Sequence, residues 1–77
     1  MNIHDVHAMS GADTVVYEAV AALTVEGRSA DLEAVTHATG LAEDVVRESL
    51  AHLVAHGHVL PAGEAYTLGR HDFEVDY

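Results

Sequence analysis

From Leu32 to Val59 the chain sets apolar residues and glycines in a register that admits few arrangements: Leu32, Val35, Gly40, Leu41, Val46, Leu50, Leu53, Gly57 and Val59. Val46, Leu50 and Leu53 recur at helical spacing, so a helix over about 42–56 buries one stripe and stops at Gly57. Upstream, Asp31 is placed to cap a shorter helix with Leu32, Val35 and Ala38 on one face. Gly40 ends that helix and Leu41 plugs the turn. Residues from about 11 to 26 carry an earlier helix with Val16, Ala19, Val20 and Leu23 inward, ending at Gly27. Ser10 and Asp13 have the spacing of a cap at its start. After Gly57 the pattern changes: His58-Val59-Leu60 reads as a strand, Pro61 to Glu64 as a turn, and Ala65 to Leu68 as the returning strand before Gly69. Arg28, Ser29 and Ala30 form a bridge able to pair as an edge strand. The fold class expected is α+β, three helices followed by a two-stranded hairpin.

At 77 residues the chain is one domain, and a domain of this size hides only about 60% of the surface its unfolded form exposes. Thirteen of its apolar residues are Ala, so the core rests on Leu, Val and a few aromatics, and a dimer interface would add to it. Residues 1–10 read as an N-terminal arm without a clean period, 11–70 as the domain, and 71–77 as an acidic aromatic tail. That tail alternates acids with Phe73, Val75 and Tyr77. The first helix is apolar on more than one side, since Val15, Tyr17, Ala21, Ala22 and Val25 stand outside its inward stripe. Such a helix has two surfaces to pack against: here the arm or tail of its own subunit, or a second copy in a homodimer. The third helix repeats the theme with Ala51, Val54 and Ala55.

Thirteen acids stand against Arg28, Arg47, Arg70 and no Lys, for a formal charge of -10. A field of that sign repels phosphate backbones and anionic membranes, and it favours basic partners or solubility in high salt. The absence of Cys excludes disulfides, thiolate zinc sites and Cys nucleophiles, and fits an intracellular protein. No apolar run approaches the roughly 20 residues of a membrane span, and the N-terminus lacks the basic and apolar regions of a signal peptide. A cytoplasmic location with no membrane partner is expected.

Helix, short strand, helix, turn, helix and hairpin is the order of the winged helix-turn-helix. Leu32, Val35, Thr39-Gly40-Leu41, Val46, Leu50, Leu53, Gly57, Val59, Gly63, Tyr66 and Leu68 resemble that family's framework, over residues 12–68. The resemblance implies a winged-helix fold with the hairpin as wing, a fold that serves repressors, transcription-machinery subunits and modules that bind only proteins. In relatives that bind DNA the second helix of the motif enters the major groove. The corresponding positions here are Ala42, Glu43, Asp44, Val45, Arg47, Glu48 and His52, with His58 and Arg70 on the wing. Three acids against one Arg make a poor surface for phosphate, because affinity for DNA comes from Lys and Arg releasing counterions. A carboxylate can accept from cytosine N4, but it needs cations nearby to hold it against the backbone. Glu43 and Asp44 also favour the helix dipole by about 0.3–1 kcal/mol each, which accounts for them without any function.

The expectation is a non-enzymatic module, serving transcription regulation or a larger assembly, that binds a basic protein through Glu43, Asp44, Arg47 and Glu48 with Glu64 on the wing. The alternative is a dimeric DNA-binding regulator that reads bases through Ala42, Glu43, Arg47 and His52 with Arg70 on the wing. A DNA-mimicking inhibitor would need an ordered row of carboxylates that the chain does not display. His52, His56 and His58 form an H-x3-H-x-H run whose first two members share a helix face at a spacing that chelates zinc or nickel. His56 falls where the family framework places an apolar or half-buried residue and His58 opens a strand, so the three are expected to diverge. Seven His, with His4 and His7 in the arm and His37 on the second helix, make the charge sensitive to pH. No nucleophile with a base, paired-carboxylate cleft or glycine-rich phosphate loop is present, and so small a core leaves little room for a catalytic pocket. Ser10, Ser29 and Ser49 fall at caps or on helix faces. No catalytic residue, metal or cofactor is expected.

Overall fold

A computed structural model describes residues 11–69. Three helices, α1 (Gly11–Val25), α2 (Leu32–Thr39) and α3 (Glu43–Ala55), are joined by three short strands, β1 (Ala30–Asp31), β2 (Val59–Ala62) and β3 (Ala65–Leu68). The chain order is α1, β1, α2, α3, β2, β3, and the antiparallel sheet runs β1-β3-β2. This is an α+β fold with a winged-helix-like layout. The arm at 1–10, the tail at 71–77 and Arg70 lie outside the described residues.

The helix ends follow from a few residues. Asp31 caps α2: its Oδ1 accepts the Ala34 N–H at 2.8 Å. α1 and α3 stop in the same way. The Arg28 N–H donates to the Leu23 carbonyl at 2.8 Å and Gly27 to Thr24 at 3.0 Å; His58 donates to Leu53 at 2.9 Å and Gly57 to Val54 at 3.1 Å. Each pair is the doubly bonded turn that a residue with positive φ closes, and Gly57 supplies it at φ 78° without the strain a Cβ would bring. Between α2 and α3 the Thr39 hydroxyl donates to the Thr36 carbonyl and accepts from the Leu41 N–H, both at 3.2 Å. Leu41 then packs half-buried against the core.

That core is Val16, Val20 and Leu23 of α1, Val46, Leu50 and Leu53 of α3, Val35 of α2, Ala30 of β1 and Val59 of β2. Tyr17 and Tyr66 pack at its edge. Two polar residues are buried with it, Asp13 at 5% exposure and Ser49 at 3%. Ala38 departs from expectation: it is exposed, and Ala34 packs against the core instead. Near the end of α2 a methyl is too short to close the gap to α1, so Ala38 lines a surface hollow with Ala22 and Leu23.

A third strand joins the two of the hairpin, where the bridge of Arg28, Ser29 and Ala30 was expected to be able to pair, and it falls at Ala30 and Asp31. Ala30 pairs with Tyr66 and Asp31 with Ala65. The cap supplies the reason: Asp31 must be extended to cap α2, at φ -84° and ψ 175°, and an extended backbone is ready to pair. The hairpin turn is also shorter than expected. Pro61 and Ala62 belong to β2, leaving Gly63 and Glu64 as the connection. β2 lies at the edge of the sheet, where the missing N–H of Pro61 costs no ladder bond. At the far end of the hairpin Gly69 is buried, donating to the His58 carbonyl at 2.7 Å. A Cβ at Gly69 would collide with the carbonyl oxygen of Gly57. Among the described residues no helix is long and apolar enough to cross a membrane.

Two substitutions test this account by urea unfolding. Gly69→Ala must displace backbone and should cost about 1–3 kcal/mol; wild-type stability would show that the close approach to Gly57 does not exist. Thr36 carries a buried Oγ1 with no hydrogen-bond partner among the described residues. Thr36→Val keeps the shape, removes that oxygen and should raise stability by about 1 kcal/mol, and a loss would show that the hydroxyl is bonded.

Candidate functional site

Packing fixes which way α3 faces. With Val46, Ser49, Leu50 and Leu53 buried, helical geometry turns Glu43, Asp44, Val45, Arg47, Glu48 and His52 outward, and all six are exposed together with Ala42 at the cap position. Glu43, Asp44 and Arg47 line one shallow hollow. Glu48 lies one turn further along, and Glu64 is exposed in the turn between β2 and β3. Ala42 has no side chain with which to cap the helix. The first-turn acids Glu43 and Asp44 answer the exposed N–H groups by charge instead.

The positive charge on this face is already engaged. The Arg47 guanidinium donates to Glu43 Oε2 at 2.8 Å, an i,i+4 pair with both side chains exposed. Such a pair adds only about 0.3–0.5 kcal/mol to stability. Its larger effect is on the surface, where the guanidinium faces a carboxylate. Arg28, the other arginine among the described residues, lies 3.5 Å from Glu26.

His52 is oriented by its neighbours on two sides. Its Nδ1 is 3.4 Å from Asp13 Oδ2 and its Nε2 is 4.0 Å from Glu48 Oε2. Asp13 has the spacing of a cap partner for Ser10, which lies outside the described residues, and it is also buried and reaches across to α3. The signal was present, because positions 13, 16, 20 and 23 form one helical stripe.

Of the other histidines, His56 and His58 come together rather than diverge. His56 is exposed rather than half-buried, with Nδ1 3.0 Å from the His52 carbonyl. Its ring stacks on His58 at 6.2 Å between centroids, and Tyr17 meets His58 edge-on at the same distance. Among the described residues no three His, Asp or Glu side chains converge on a point that could hold a metal ion. His37 is exposed on α2, lining a hollow with Leu32, Glu33, Thr36 and Glu43.

Two further surfaces are apolar. On α1 the second side is only partly covered: Tyr17 and Ala21 are half-buried, while Val15 and Val25 are 43% and 83% exposed. Between α3 and the hairpin runs a groove lined by Arg47, Leu50, Ala51, Val54, Ala55, Pro61 and Tyr66. Compared with family models, curated proteins and solved structures, the chain matches none of them.

Asp13 and Glu43 are both first-turn acids, but burial separates them. Asp13→Ala should cost about 1–3 kcal/mol of folding stability, whereas Glu43→Ala should cost less than about 1 kcal/mol. Chemical denaturation of the two variants compares them directly, and equal losses would mean that Asp13 is not embedded between α1 and α3.

Proposed function

We propose that this chain is a non-enzymatic winged-helix module that binds a basic protein, in transcription regulation or within a larger assembly, through the outward face of α3. Glu43, Asp44 and Glu48 supply the attracting charges, with Arg47 set among them and Glu64 on the wing. Arg47 carries this reading. A helix that reads DNA brings uncompensated cations to the phosphates, whereas here the guanidinium is bonded to Glu43 at 2.8 Å with two further acids on the same face. A phosphate would have to compete with that carboxylate and with a net charge of -10. The Lys and Arg side chains of a protein partner meet the same charges as attraction and add apolar contact.

A mobility shift with a pool of random duplex DNA, at low salt and again in molar KCl, separates this reading from its rival. The full chain should leave the duplex unretarded in both conditions, and Glu43→Lys with Glu48→Lys should weaken capture of a basic partner from cell extract. Sequence-specific retention in either salt would instead assign the face to DNA, through Ala42, Glu43, Arg47, His52 and Arg70.

A further inference from the structure

Arg47 stands where two surface features meet. On one side it shares a shallow hollow with Glu43 and Asp44. On the other it closes the end of the groove whose walls are Leu50, Ala51, Val54 and Ala55 of α3 and Pro61 and Tyr66 of the hairpin. Apart from Arg47 and the Tyr66 hydroxyl, those lining side chains are apolar.

The two walls select the shape of an occupant. On the strand side, β2 is an edge strand, and edge strands invite a peptide to add itself as another strand. Pro61 stands inside β2 and leaves that edge one donor short, which disfavours strand addition. On the helix side, Ala51 and Ala55 are exposed and four residues apart, so two small side chains stand on one face and another backbone can come close. An amphipathic helix fits such a groove, setting side chains at i, i+3 and i+4 between helix and hairpin.

Charge selects the kind of helix. The groove opens past Arg47 onto Glu43 and Asp44, with Glu48 on the next turn of the same helix. We propose that the groove between α3 and the hairpin docks an amphipathic helix of the partner protein, with Lys or Arg where it meets Glu43 and Asp44. The assignment rests on reading α3 as a protein-binding face. It gives Arg47 a definite part: the guanidinium bonded to Glu43 occupies the position an incoming cation needs, so it competes with the partner.

Arg47→Ala therefore has opposite signs under the two readings of this face. It strengthens the binding of a basic helix and weakens the binding of DNA. The probe is a synthetic peptide of about 18 residues, roughly five helical turns, with Leu and Lys at helical spacing. A twin with Glu in place of Lys is the control, and each is titrated into the full chain while backbone amides are followed by NMR. The expected result is that the Lys peptide shifts Ala51, Val54, Ala55 and Tyr66 together with Glu43 and Asp44, and that the Glu twin does not bind. Arg47→Ala should tighten binding several-fold. Filling the groove with Ala55→Trp, or with Ala51→Trp should the first variant fold poorly, should weaken it by about tenfold, or 1.4 kcal/mol.

Shifts spread over Glu18, Glu26 and Glu33, or unchanged affinity in the groove-filled variants, would overturn the groove while leaving a basic partner in place. No binding of the Lys peptide would overturn it as well. Retention of duplex DNA by the same sample, lost in Arg47→Ala, would overturn the protein-binding reading itself.

Discussion

The packing of α1 against α3 is the contact on which everything else in the molecule depends. Val16, Val20 and Leu23 meet Val46, Leu50 and Leu53, with Val35 and Val59 completing the cluster. Among the described residues no fully buried apolar side chain is larger than Leu, and the tyrosines Tyr17 and Tyr66 pack only at the edge. The backbone must bring each element to its place unaided, which makes the helix stops decisive. Gly57 turns the chain so sharply that Val59, two residues later, is already in the core. The departing strand then comes back to the same point, where Gly69 lets its backbone lie against the Gly57 carbonyl. One glycine ends the helix, and a second lets the wing close on it.

With the inner face of α3 committed to that core, its outer face answers mainly to local needs. Ala42 supplies no cap, so the first turn is stabilised by Glu43 and Asp44. Glu43 in turn reaches Arg47 at i+4. The stability of the helix end and the chemistry of the surface are thus one arrangement, since the acids that hold the first turn also neutralise the cation one turn on. A helix that reads DNA works the other way, presenting a positive N-terminal end to phosphate. To convert this face, a side-chain cap would first have to replace the acids, because removing them alone leaves the helix end without compensation.

The helices and their ends were legible because Asp31, Gly27, Gly40 and Gly57 do things that few other residues do as well. The outward set on α3 was legible from periodicity, and the Glu43–Arg47 pair follows from i,i+4 spacing. What escaped the pattern is what depends on distant partners. Pro61 reads as the start of a turn because proline presets turn geometry, and only its place on the sheet edge lets it remain in β2. The bridge ending at Ala30 was readable as able to pair, but its extension to Asp31 and its partner β3 lie in no local window. Asp13 belongs to the helical stripe of Val16, Val20 and Leu23, but its contact with His52 on another helix lies beyond any local pattern. The groove was half visible: Ala51, Val54 and Ala55 stood out as a small-residue surface, but Pro61 and Tyr66 arrive from another element.

β1, only two residues long, has more effect on the groove than its length suggests. An isolated two-stranded hairpin is marginal in water, and a third strand makes a sheet of it. Tyr66 sits in the central strand, in register with Ala30 on one side and Pro61 on the other, so the wall it forms is held from both edges. The helical wall is held differently. His52 of α3 faces Asp13 of α1, while Arg47, Ala51, Val54 and Ala55 are turned toward the hairpin. Each wall is therefore fixed by contacts that lie outside the groove. A partner entering between them would meet two preformed surfaces, so little of its binding energy would go into ordering them.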